Sequence, residues 1–196
     1  MAGLGTYSQH TTPMQITSNL LASWTPNAVA LSTGLLVARL VFGLSMSAHG
    51  AQKLFGWFGG YGLTGTAPFF EQMGFRPGRV FAAVASLTEF VGGILIALGL
   101  LGPVGPALML SVMIVAAITV HWKSGFFAAS NGIELALLYA AAAVVLALTG
   151  PGLFSLDALF GLEALWSPTL APVALAIGIV GGIGNLVARR PLPAAV

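Results

Sequence analysis

Charged residues are scarce in this sequence. Its 196 residues include 7 Lys and Arg and 5 Asp and Glu, whereas 57% of the residues are hydrophobic. The mean hydropathy is +0.96. About a quarter of the residues in an ordinary soluble domain are charged, so this chain has too few polar side chains to cover a globule in water. The composition predicts an integral membrane protein surrounded by a lipid bilayer.

Two further absences exclude whole classes of function. The chain has no cysteine, which excludes disulfides, Cys-ligated zinc, iron–sulfur clusters held by this chain and thiol–disulfide chemistry. We expect no metal site. The net charge is only +2, and so few cations cannot form the basic face that nucleic-acid binding requires. We therefore expect no nucleic-acid partner.

The first thirty residues contain no Lys or Arg and no sustained apolar run. A secretory signal peptide requires both, so we expect residues 1–30 to form an uncleaved N-terminal arm. Within it, Leu20, Leu21 and Trp24 could form one turn of helix at the membrane surface.

Five apolar stretches are long enough to be membrane spans, since a spanning helix needs about 20 predominantly apolar residues. Polar residues, Gly or Pro separate them. They cover residues 31–55, 79–101, 104–122, 132–149 and 169–188. The sequence therefore predicts an all-α membrane bundle of five helices. The connection at 56–78 mixes glycines with aromatic residues, which is typical of a re-entrant or interfacial segment.

The cations indicate an orientation. With five spans, six of the seven fall at one end of the bundle: Lys53, Arg76, Arg79, Lys123, Arg189 and Arg190. The loop at 150–168, at the other end, has only Asp157 and Glu163. Because cytoplasmic loops carry the excess of Lys and Arg, we expect the N-terminus outside and the C-terminus in the cytoplasm.

Several ionisable residues lie within or at the rims of the apolar stretches. A charge at the centre of a bilayer costs at least about 2.5–3.5 kcal/mol, so such a residue needs a partner, a polar cavity or a functional role. One helical stripe contains Arg39, Phe42, Met46, His49 and Lys53, because steps of three and four return to the same face. Glu89 lies in the middle of the second stretch, and His121 and Glu134 lie at the predicted cytoplasmic rim.

Three interpretations of these residues remain open. In the first, Arg39–Glu89 and His121–Glu134 are neutralising pairs that fix helix register. In the second, they form a pocket for a small amphiphile such as a quinone. His49 and Glu89 or Glu134 would then bind ring oxygens, and Phe42, Trp57 and Phe58 would stack on the ring. In the third, His49 and His121 ligate haem, which fits less well because only His49 lies well inside a helix.

A family resemblance enters at residues 39–60, which read RLVFGLSMSAHGAQKLFGWFGG. This run resembles the DoxX family of small bacterial membrane proteins, in which an Arg in the first helix is followed by an ending like HGxxKLFG. Further matches are Glu89 to Gly93, Val120-His121, Gly125 to Phe127, Asn131 to Glu134 and Gly150 to Asp157. The resemblance covers residues 33–160. It implies a four-helix core at 31–160 and a C-terminal extension at 161–196 that contains the fifth helix.

The resemblance also implies a function. Some members of the family are named as subunits of quinol- or quinone-linked oxidoreductases, so we expect an inner-membrane protein that binds a quinone or serves as an accessory subunit of a redox system. No intrinsic redox centre is evident, so whether the chain is itself an enzyme stays open. The candidate ligand-binding residues are Arg39, Phe42, His49, Lys53, Trp57, Glu89, His121 and Glu134.

Two other functions are also open. The first is a scaffold or assembly subunit that docks on a larger membrane complex or on a second copy of the chain. In that case Gly178 and Gly182 in the fifth stretch would pack either onto the bundle or between protomers. The second is a small-molecule transporter, which the absence of an evident inverted repeat makes less favoured.

Overall fold

The computed structural model describes residues 27–162, 166–167 and 169–190. Regular structure within these ranges is entirely helical, without any strand, which confirms the prediction of an all-α membrane bundle. Residues 1–26 and Glu163 lie outside the described residues. The predicted surface turn at Leu20, Leu21 and Trp24 is therefore outside them as well.

Seven α-helices and several short turns make up the described chain. In order they are α1 (Ala28–Phe55), a 3-10 turn (Trp57–Gly59), α2 (Gly62–Gln72), α3 (Gly78–Leu98) and α4 (Val104–Ala116). The axis of α4 continues through a π turn (Ala117–His121) and a 3-10 turn (Trp122–Ser124). Then follow a 3-10 turn (Ala128–Ser130), α5 (Glu134–Thr149), α6 (Leu156–Leu159) and α7 (Leu170–Ala188).

Four helices among the described residues are long and apolar enough to cross a membrane, namely α1, α3, α4 with its continuation to Ser124, and α7. The fourth predicted span is present as α5, which has 16 residues and is therefore only about 24 Å long. It begins later than predicted because Gly132 and Ile133 belong to the preceding loop, where their amides donate to Phe127 and Gly125.

Glycines bring α1 and α3 together. A Cβ on Gly50 would lie 2.5 Å from the backbone nitrogen of Phe90, and a Cβ on Gly43 would lie 2.6 Å from that of Ala97. Only glycine, which has no Cβ, fits where two helices approach this closely. Position 43 thus faces 97, and position 50 faces 90, so the two helices run antiparallel.

The predicted interfacial segment at 56–78 contains the helix α2, which packs on α3 and α1. Phe70 of α2 and Phe75 after it are buried together with Ala82 of α3. The Phe70 and Phe75 rings are 5.8 Å apart. Because these rings anchor α2 against α3, α2 lies beside the last turn of α1 and the first turns of α3.

The helix α7 packs against α4, and the two helices run parallel. A Cβ on Gly178 would lie 2.5 Å from the carbonyl oxygen of Ala107, and one on Gly182 would lie 3.0 Å from that of Ser111. These two glycines therefore serve packing onto the bundle. The amide of Arg190 donates to the carbonyl of Gly74 at 2.8 Å, which places the end of α7 beside α2. We call this end, where α2 and the cations lie, the basic end.

Replacing Gly178 with alanine is expected to destabilise the protein by about 1–3 kcal/mol, because the added methyl group overpacks the α4–α7 contact. Gly184 provides the matched control, since it lies in the same helix and a Cβ there would meet nothing within 4 Å. Gly184→Ala should leave stability unchanged or raise it slightly. Thermal unfolding in detergent measures both, and equal midpoints for the two variants would contradict this packing.

Candidate functional site

A cavity of about 130 Å³ lies between α3 and α4 near the basic end; we call it the α3–α4 cavity. Its walls come from α3 and α4, α2 closes it toward the basic end, and Lys53 of α1 and Asn185 of α7 complete it. The lining is mostly apolar and includes Phe70, Phe75 and Phe81. Two charged residues, Lys53 and Glu89, line the same space.

Lys53 and Glu89 form an ion pair in this cavity, in which Nζ of Lys53 donates to Oε1 of Glu89. Glu89 is only 2% exposed. Its second oxygen, Oε2, is buried and has no hydrogen-bond partner in the part of the chain that the structure describes. The side chain of Lys53 is 35% exposed. The pair thus leaves one buried carboxylate oxygen of Glu89 unused beside a mostly apolar space.

This pairing corrects the predicted Arg39–Glu89 pair, which is wrong. Side chains on a helix slant toward its N-terminus. Lys53 lies at the end of α1 and therefore reaches back into the bundle toward Glu89. Arg39 lies fourteen residues earlier, about 21 Å along the helix, and slants away from Glu89.

Arg39 belongs to a second cluster at the opposite end of the bundle. Its guanidinium donates to the carbonyl of Phe154 and lies against Gly99, where any Cβ would collide with it. The negative charge of Asp157 attracts the guanidinium of Arg39. Arg39 is 2% exposed. The void beside it measures only about 10 Å³, which is room for about one water molecule. We therefore regard this cluster as structural.

Asp157 is the centre of that cluster. Its carboxylate accepts hydrogen bonds from the amides of Leu101 and Gly102 at 2.9 and 2.8 Å and from the indole of Trp166 at 2.9 Å. It is 1% exposed. Asp157 thereby joins the α3–α4 turn to the segment that follows α5.

The other predicted ligand-binding residues lie outside the cavity. The rings of Phe42 and His49 contact Tyr139 of α5 at 5.6 and 6.4 Å. Trp57 packs on Phe55 at 5.0 Å and is 55% exposed. None of these side chains lines the α3–α4 cavity.

The predicted His121–Glu134 pair is wrong as well. Nδ1 of His121 lies 2.8 Å from the carbonyl oxygen of Asn131, and Oε2 of Glu134 accepts from the amide of Ala128 at 2.7 Å. Both side chains bind backbone and so shape the loop between α4 and α5. His49 faces α5 and His121 faces this loop, so the two histidines proposed for haem do not share the cavity. Of the eight predicted residues, the cavity brings together Lys53 and Glu89.

Two comparisons of the sequence with known proteins gave matches. The DoxX family model matches residues 34–122. A curated relative from Bacillus subtilis (strain 168), named "Putative oxidoreductase CatD", is 32% identical over 124 residues, which are 63% of this chain and 84% of that protein. The chain belongs to the DoxX family. No solved structure matches it. The DoxX match spans α1 to α4 and therefore includes both members of the ion pair.

Sequence reasoning missed much of this DoxX protein's cavity. Thr66 of α2, Thr119 after α4 and Asn185 of α7 line it, but each comes from a different element. A hydroxyl or amide inside an apolar run is a weak signal, because such a side chain can bond to its own helix. The hydroxyl of Thr119, for example, donates to the carbonyl of Val115 at 2.8 Å. Only the assembled bundle shows that they face one space.

Proposed function

We propose that this DoxX protein binds a quinone, or a related lipophilic ring compound, in the α3–α4 cavity as a subunit of a membrane redox system. The observation that carries the proposal is the Lys53–Glu89 ion pair at the wall of a mostly apolar cavity. Ligand sites typically combine an apolar lining with a few polar groups that orient the ligand. The name of the Bacillus relative, "Putative oxidoreductase CatD", supports the redox part of the proposal.

The size of the cavity suits a single ring. An apolar cavity of about 150 Å³ in another protein binds benzene, and this one measures about 130 Å³. Phe69 and Val84 line it and are 46% and 53% exposed, so the cavity reaches the outer surface between α2 and α3. An isoprenoid tail could leave through this opening and lie among the lipid chains.

The residues of the chain would bind and orient the ring. The ammonium of Lys53 has three N–H donors, one of which is used by Glu89, so others are available for a ring oxygen. The apolar walls would exclude water from the ring. Electrons would come from and go to partner subunits, and the chain would hold the ligand between them.

We also propose that the protein resides in the bacterial inner membrane with its basic end in the cytoplasm. The structure supports a common end for the cations, since α1 and α3 are antiparallel and the end of α7 lies beside α2. The rule that cytoplasmic loops are enriched in Lys and Arg then sets the direction. The cavity would lie in the cytoplasmic half of the bilayer.

Filling the cavity is the direct test. Ala116 lines it, and Ala116→Leu adds three carbons there while keeping a good helix former. We expect the affinity for decylubiquinone to fall at least about tenfold, since each lost apolar contact in such a site is worth roughly that much. Equilibrium binding to purified protein in detergent measures it.

His49→Ala is the control, because His49 faces Tyr139 outside the cavity. It should bind decylubiquinone as the unchanged protein does. Thermal unfolding shows whether each variant remains folded. Equal affinities for folded Ala116→Leu and the unchanged protein would contradict binding at this site, and lost binding in His49→Ala alone would move the site to the α1–α5 face.

A further inference from the structure

We infer that the α3–α4 cavity discriminates between the two redox states of its ligand and binds the dihydroxy, reduced ring more tightly than the dicarbonyl, oxidised ring. This inference rests on the proposed function, since it concerns the same cavity. It names Glu89 as the residue that sets the preference and Lys53 as a residue that does not.

The preference follows from the unused oxygen of Glu89. In the ion pair with Lys53 the carboxylate is ionised, and an ionised carboxylate only accepts hydrogen bonds. Its Oε2 is buried and has no partner among the described residues, which is a costly state that a ligand donor would relieve once a turn of the carboxylate brings this oxygen to the cavity. A hydroxyl of the reduced ring supplies such a donor. A carbonyl of the oxidised ring supplies none and would place two acceptor oxygens against each other.

Lys53 does not separate the two forms. Its remaining N–H groups donate equally well to a carbonyl oxygen or to the oxygen of a hydroxyl. The cavity therefore has a hydrogen-bond donor, Lys53, that binds both redox states, and an acceptor, Glu89, that favours the reduced one.

The hydroxyl groups of the lining also favour the reduced ring. Three threonines that line the cavity each donate their hydroxyl hydrogen to a carbonyl four residues earlier, and so expose only acceptor lone pairs to the cavity. These bonds run from Thr66 to Gly62, from Thr88 to Val84 and from Thr119 to Val115, at 2.7–2.8 Å. These three hydroxyls therefore add acceptors, and no donor, to the polar groups that a ligand would meet.

Tighter binding of the reduced form stabilises it relative to the oxidised form and so raises the midpoint potential of the bound couple. For a two-electron couple, each tenfold difference in affinity corresponds to about 30 mV. We expect a preference of at least about tenfold, the size typical of one hydrogen bond to a charged group.

The test compares decylubiquinol with decylubiquinone, each titrated separately against purified protein under anaerobic conditions. The unchanged protein should bind the quinol at least about tenfold more tightly. Glu89→Gln keeps the shape of the side chain but can turn an amide N–H donor toward the ligand. In this variant the preference should disappear or reverse, with weaker binding of the quinol and equal or tighter binding of the quinone.

The outcomes separate the inference from the proposed function. If the unchanged protein binds both forms equally, or if Glu89→Gln keeps the preference for the quinol, the redox discrimination is wrong while quinone binding stands. If neither form binds, the proposed function fails and this inference with it. Should Glu89→Gln not fold, the pair Lys53→Met with Glu89→Gln removes both charges, retains the amide and is subject to the same criterion.

Discussion

Lys53→Met is expected to lower the free energy of unfolding by about 3–5 kcal/mol, the cost of leaving one member of a buried ion pair without its partner. The structure makes Lys53→Met more damaging than the replacement of its partner, Glu89→Leu. Glu89 is 2% exposed and lies in the middle of α3, so its carboxylate cannot reach water once Lys53 is gone. Within the described ranges its Oε2 already lacks a partner, and Oε1 would then lose the ammonium.

Glu89→Leu should cost less than half as much. The Lys53 side chain is 35% exposed and lies in the last turn of α1, so its long stem can carry the ammonium to the membrane surface. The double variant, Lys53→Met with Glu89→Leu, should recover most of the loss, because an apolar pair of similar volume often replaces a buried ion pair without penalty.

Equilibrium unfolding of all four proteins in mixed micelles gives the coupling between the two sites. A double variant as unstable as the sum of its two single variants would contradict a direct ion pair. Equal effects of the two single replacements would contradict the difference in burial between Lys53 and Glu89.

Asp157→Ala is the second replacement with a large expected effect, also about 3–5 kcal/mol. It removes the acceptor for three N–H donors, from Leu101, Gly102 and Trp166. Each buried donor left without a partner costs about 1–3 kcal/mol. It also removes the negative charge that acts on the buried guanidinium of Arg39.

Two further variants sharpen this test. Asp157→Asn keeps one acceptor oxygen and should fall between the unchanged protein and Asp157→Ala. Thr149→Ala, at the exposed end of α5, loses only a bond to the Val145 carbonyl and should change stability by less than about 0.5 kcal/mol. If thermal unfolding in detergent places Asp157→Ala beside Thr149→Ala, Asp157 does not hold this end of the bundle together.

The predicted helices agree with the observed ones to within a few residues, and the differences have local causes. The second span was predicted to end at 101, whereas α3 ends at Leu98, because Gly99 takes a left-handed conformation (φ 61°) and caps the helix. A glycine in this position is a common helix terminator. The segment that forms α2 was predicted only as re-entrant or interfacial. Its 11 residues form a stable helix because Phe70 packs against the bundle, a contact that the local sequence does not show.

The candidate site was less accessible to sequence reasoning. Helical periodicity places Arg39 and Lys53 on the same stripe of α1 but does not say which of them meets Glu89. Estimated depth along the helix favoured Arg39, whereas the slant of side chains toward the helix N-terminus decides for Lys53. Asp157 was predicted only as a charge of the outer loop and as part of the family resemblance. Two of its donors, the amides of Leu101 and Gly102, lie 56 and 55 residues away along the chain.

The sequence by itself determined the membrane class, the number and position of the apolar helices, the clustering of cations at one end and the resemblance to the DoxX family. Composition and period are properties of single segments, so they can be read without knowing what each segment packs against. Only the tertiary structure decided which charges pair, that α7 joins the bundle, and that Lys53 and Glu89 share a cavity with α2 and α4. Those features depend on how close two helices can approach and which faces meet, and the glycines at positions 43, 50 and 178 decide this only once their neighbours are in place.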